Sequence, residues 1–165
     1  MTLTTHIIIA AAVAKPLLNV HPAFAFLAAL ASHYLSDAIP HWDYKPFPEK
    51  SDEWEAGVGQ IKLNDPAYLR GFLRITVDFF IGSLLLFLIL RPDGSQEFLS
   101  MAAAILGGVL PDFLQGLYGT RYFEFLRPIQ RFHDKIHSKI KLGPYPLIGA
   151  PFQIIIFLTA LYWLA

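Results

Sequence analysis

Three stretches of this chain are long and apolar enough to decide its solvent: Gly71 to Leu90, Phe98 to Tyr118 and Tyr145 to Ala165. The last carries no charge, the first is interrupted only by Arg74 and Asp78, and the second only by Asp112. A helix rises about 1.5 Å per residue, so each stretch matches the hydrocarbon core of a bilayer, where a helix satisfies all of its own backbone polar groups. The fold class expected is therefore all-α, a polytopic transmembrane helical bundle. A hydrophobic fraction of 55% over 165 residues agrees, and the length suits one integral membrane domain, 1–165.

The N-terminal part is less plain. Thr2 to Ala14 is apolar after its Thr-Thr-His6 start, and Ala12-Val13-Ala14 before Lys15 looks like a signal-peptidase site. No positively charged leader precedes it and apolar character resumes after Pro16, so a retained helix is expected. A second apolar helix from Pro22 to about Asp37 has roughly 16 residues, or 24 Å, barely enough to span. The two read as a short or tilted hairpin, giving four to five membrane helices in all. Ala38 to Arg70 holds Pro40, Pro46, Pro48 and Pro66 with a charged run from Glu49 to Glu55, and reads as an extramembrane loop. Its Trp42, Tyr44, Phe47 and Trp54 suggest a loop lying against the lipid interface. Arg91-Pro-Asp-Gly94 is a tight turn.

Thirteen basic and thirteen acidic residues cancel, which argues against nucleic acid as a partner, but their placement is uneven. Gly119 to Gly143 holds Arg121, Arg127, Arg131, Lys135, Lys139 and Lys141 against Glu124 and Asp134, so the positive-inside rule puts it in the cytoplasm. By alternation, the Arg91 turn and the C-terminus face out, and the Ala38 to Arg70 loop faces in.

The polar residues gather on that same side. His133 and His137 are four apart, which on a helix sets both rings on one face. His33 and Asp37 repeat the spacing at the end of the second helix, His6 opens the first, and Asp78 and Asp112 lie about 10 Å deep on antiparallel helices. An ionised carboxylate in a bilayer needs a positive partner, and a divalent metal serves several such groups at once. There are no cysteines, so the ligands are nitrogen and oxygen, suiting Zn²⁺, with Mn²⁺ or Fe as alternatives and one or two ions. Simpler readings stand beside this one. Asp78 has Arg74 at i−4 as an ion-pair partner, and the His133 to His137 segment would also serve as a basic loop touching headgroups. His33 with Asp37 has the form of an orienting pair, and His41 and Asp43 read more as loop residues than as ligands.

Thr5-His6, Leu110-Pro111-Asp112 at the end of a glycine-containing apolar helix, and His133-Asp-Lys-Ile-His137-Ser138 together resemble the membrane-bound metal-dependent hydrolases. That family includes the LexA-regulated inner-membrane hydrolases and is related in pattern to the zinc-dependent phospholipase C group. The resemblance implies Asp112, His133 and His137 as metal ligands, His6 as a further candidate, and a multi-pass inner-membrane location. The chain departs from the pattern at Leu114, where a second acidic residue is common, and at Asp134, where arginine is.

The function expected is a metal-dependent hydrolase, phosphoesterase-like, working on a phospholipid or other interfacial substrate within the lipid bilayer. Metal ligands would come from His6, His33, Asp37, Asp112, His133 and His137, the base from Asp78 or Asp37, and phosphate contacts from Arg131 or Arg127. The rivals are a non-catalytic metal-binding or ion-transporting membrane protein and a scaffold whose basic loop binds anionic lipid.

Overall fold

A computed structural model describes residues 1–44, 47 and 64–164. Among them are six α-helices: α1 Leu3–Ala14, α2 Pro22–Asp37, α3 Pro66–Leu90, α4 Ser95–Gly119, α5 Arg127–Ile136 and α6 Pro146–Leu164. The all-helical expectation holds. Three of these helices, α3, α4 and α6, are long and apolar enough to cross a membrane. Their outward faces expose Phe80, Leu84, Leu106, Phe113, Ile155 and Leu158, a distribution suited to lipid.

The count of four to five membrane helices is not reached by length and composition, because the first hairpin does something else. At 12 residues α1 extends about 18 Å, too short to span. It runs instead through the centre of the bundle, packed against α2, α3, α4 and α6. Ile7, Ile8, Ala10 and Ala14 are completely buried there, as befits a helix that is apolar all round.

Small residues make this centre possible. Ala10 and Ala14 of α1, Ala25 and Ala29 of α2, and Ala104 of α4 form one buried cluster. A Cβ added at Gly107 would run into the Phe26 carbonyl oxygen, and one at Gly108 would lie 2.6 Å from the Ala10 Cβ. Between helices in lipid the hydrophobic effect is weak, so close backbone approach and the dispersion it allows carry the association. Its consequence is to seat the start of α1 and the end of α2 against the C-terminal half of α4.

Helix boundaries follow local chemistry. α3 begins five residues before the apolar stretch from Gly71 because Asp65 caps it, accepting from the Ala67 N–H at 2.8 Å, with Pro66 at the first position. It ends where Arg91 turns left-handed at φ 44°. The basic segment expected as a loop contains α5, and His137 is its C-cap rather than a helical residue. Phe47 stacks on Tyr68 and meets Phe72 edge-on, so this part of the long loop packs against α3. Pro46, Pro48, Glu49 to Glu55 with Trp54, and Lys45, Lys50 and Lys62 lie outside the described residues.

Candidate metal centre

The buried end of α2 is where the polar side chains meet. Asp37 is 1% exposed, and its carboxylate lies 3.0 Å from His133 Nε2, 3.2 Å from both His6 and His33 Nε2, and 3.7 Å from His41 Nε2. Asp112 of α4 reaches the same imidazoles from the other side, 3.7 Å from His33 and 3.9 Å from His6. Asp112 is 26% exposed, which makes it the carboxylate of this set on the path to the outside.

These residues fall into two overlapping sets of potential ligands. His33, Asp37, Asp112 and His133 form one; Asp37, His41 and His137 form the other. Within each, the ligand atoms lie within 4.8 Å of one another, and Asp37 belongs to both. The Ser138 N–H donates to the Asp37 carbonyl at 2.7 Å, tying the end of α5 to the end of α2 and so bringing His137 to the second set.

Hydrogen bonds on the far side of the rings fix which nitrogen is free. His33 Nδ1 lies 2.8 Å from the Gly108 carbonyl and His41 Nδ1 2.7 Å from the Ile39 carbonyl, so each Nδ1 is the protonated donor. The Ser36 hydroxyl gives its proton to the His33 carbonyl, leaving its oxygen to accept from His6 Nδ1 at 3.2 Å. In the neutral form all three rings aim an Nε2 lone pair at the Asp37 carboxylate, the arrangement in which a second partner orients a metal-binding histidine.

In the bare protein that arrangement is costly. His6, His33 and His41 Nε2 and Asp37 Oδ1 are all buried and lack a hydrogen-bond partner. Each such atom costs about 1–3 kcal/mol, and lone pairs facing a carboxylate add repulsion. Protonating every ring would place several cations side by side in one pocket, as the 4.1 Å stacking of His6 on His33 shows. A divalent cation satisfies all of the atoms together, so the donor set fits a metal of the nitrogen- and oxygen-binding kind.

Among the groups outside the three long apolar helices, Asp43, His137 and Tyr44 have shifts that bear on the site. Burial opposes ionisation of Asp43, but the Met1 amine 2.7 Å away and His41 outweigh it and hold its pKa well below the carboxylate range. Burial lowers the pKa of His137, with Lys141 and His41 adding to the effect, so the neutral, ligand-competent ring is favoured. Burial and the neighbouring Asp78 carboxylate push the Tyr44 hydroxyl up.

Of the expected ligands, His6, His33, Asp37, Asp112, His133 and His137 come together here. The expected catalytic set fares differently. Asp37 sits in the middle of the cluster, but Asp78 is turned away from it. Its carboxylate accepts from the Leu3 N–H at 2.7 Å, the Thr4 N–H at 3.1 Å, the Thr4 hydroxyl at 2.6 Å and the Tyr44 hydroxyl at 3.2 Å. It answers the open amides at the start of α1, so neither the base role nor the Arg74 pairing describes it, and it acts by positioning the helix that carries His6. Arg131 is exposed on the outer face of α5. His41, read as a loop residue, is 3% exposed and completes the second set. The signal was present in its spacing, since His33, Asp37 and His41 are each four apart, but α2 ends at Asp37 and the helical argument stopped with it.

Comparison with protein-family models, with curated proteins and with solved structures gives no match to this chain.

Proposed function

We propose that this protein is a membrane-embedded, metal-dependent hydrolase of phosphoesters, allied to the membrane-bound metal-dependent hydrolases that its motifs resemble. The observation that carries the proposal is the set of buried, unpartnered Nε2 atoms of His6, His33 and His41 around Asp37. Two ligand sets sharing one carboxylate suit a pair of ions, and Zn²⁺ is the first choice for imidazole and carboxylate donors. Such ions, when bound, supply Lewis acidity and make water nucleophilic near neutral pH.

The chain's own residues have separate duties. Asp37 bridges the two sets and holds their spacing. Asp112, partly exposed, is the proton acceptor best placed toward incoming substrate. Arg131, on the outer face of α5, and Arg127, paired with Glu124 at 2.8 Å, stand away from the buried rings and take no part in this assignment. The excess of basic residues around α5 supports a cytoplasmic site in a multi-pass inner-membrane protein. An ion conductor is disfavoured because the cluster lies at one end of the bundle. The alanine seam and the Ile7, Ile8, Leu86 and Met101 core occupy the way toward Arg91.

The test is metal analysis of detergent-purified protein, followed by assay of the loaded protein on bis(p-nitrophenyl) phosphate and on phospholipid vesicles. Bound metal with hydrolysis of either substrate, lost in Asp112→Asn, supports the reading. Full occupancy without hydrolysis of any phosphoester rejects it.

A further inference from the structure

Beside the metal centre is an apolar cleft that the proposed chemistry does not use. Its volume is about 390 Å³, and Leu30 and Tyr34 of α2, Leu110 and Leu114 of α4, and Ile129 and Phe132 of α5 line it. We propose that this cleft holds an acyl chain of a phospholipid whose phosphate reaches the His/Asp cluster. The inference rests on the hydrolase reading for the fate of the lipid, but not for its binding.

Three observations select this occupant. The cleft abuts the cluster directly: the Tyr34 ring stands edge-on to His33 at 5.7 Å and His133 at 5.8 Å, and Phe132 closes on Tyr34 at 5.1 Å. One aromatic ring thus separates the ligand set from the apolar wall, which is the dimension of the junction between a headgroup and its chain. The wall is also built partly on α4, a membrane-crossing helix whose neighbouring Leu106 and Phe113 face outward, so a chain enters from the bilayer without crossing water. Finally, α5 exposes Arg127, Arg131 and Lys135 together with Ile129 and Phe132. A short helix presenting cations and large apolar residues belongs at the headgroup level and favours anionic lipid. A water-soluble phosphoester would leave the cleft without purpose.

The experiment uses the whole protein in phosphatidylcholine vesicles doped with a phosphatidylglycerol that carries a diazirine near its acyl terminus. Photolysis, digestion and mass spectrometry then map the labelled residues. Label in segments 110–114 and 128–132 is expected to exceed that on the outward-facing Leu84 and Leu158 severalfold, because a chain whose headgroup is held at the cluster has a raised effective concentration in the cleft. Leu114→Trp, which fills the cleft, and Ile129→Trp, at its exposed rim, should each remove the excess while leaving label at Leu158 unchanged. Two variants guard against one failing to fold. Uniform labelling, or an excess that neither variant lowers, overturns the proposal. Release of the phosphorylated headgroup is followed in the same metal-loaded samples. Release without local label refutes the cleft alone, whereas local label without release upholds the cleft and refutes the hydrolase.

Discussion

Asp37→Asn is the most informative single change, because it keeps the shape of a residue that both ligand sets share while removing its charge. In the first set Asp112 would remain as the only carboxylate, and the second would keep only His41 and His137. An amide also presents a donor where the neutral His33 ring aims its Nε2 lone pair from 3.2 Å. In metal-free protein the change should therefore be neutral or stabilising, since it removes the carboxylate charge that faces the Nε2 lone pairs. In the presence of metal it should remove the ion's contribution. At 100 times its dissociation constant a ligand stabilises by about 2.7 kcal/mol, which for a chain of this size raises Tm by roughly 5–11 °C. The assay is elemental analysis with thermal unfolding in detergent, with and without chelator. Wild type should lose that increment on chelation, and Asp37→Asn should never show it. A variant that keeps both its metal and its chelator-sensitive increment would falsify the shared-carboxylate argument.

Other outcomes follow from the same geometry. Asp112→Asn and His137→Ala each touch one set, so elemental analysis should find one ion lost and one retained in either variant. Asp78→Ala leaves the Leu3 and Thr4 amides without their acceptor and should lower stability by about 2–3 kcal/mol while also weakening metal binding through His6, read by unfolding and metal titration together. Gly107→Val forces atoms onto the Phe26 backbone and should cost about 1–3 kcal/mol or abolish folding, whereas Gly116→Ala, with open space around it on the same helix, should stabilise by about 0.5–1 kcal/mol in the same unfolding assay. Protons compete with metal for imidazole, and a lowered pKa moves that competition to lower pH. Occupancy of the His41 and His137 set should therefore persist at about pH 6.5, the ordinary histidine midpoint, and fall only on further acidification.

Much of the centre was visible in residue spacing. His33 with Asp37 and His133 with His137 repeat the helical interval, and charge asymmetry put them on one side with His6 and Asp112. Spacing identifies which residues share a face, but not which face meets which. Asp78 and Asp112 looked equivalent by depth. Only the docking of α1 against α3 set Asp78 on backbone amides, and only the approach of α2 to α4 set Asp112 on histidines. His41 lies beyond the end of a helix, where periodicity says nothing, and its place depends on the Ile39 carbonyl and the adjacent chain at Lys141.

The sequence by itself determined the helical class and the three long apolar segments, because hydropathy over some 20 residues acts without reference to partners. The tertiary structure alone decided that the first helix is a core element rather than a span, that two ligand sets share Asp37, and that an apolar cleft adjoins them. Each of these depends on how closely backbones approach at Gly107 and Gly108, and that distance is a property of two surfaces together rather than of either segment.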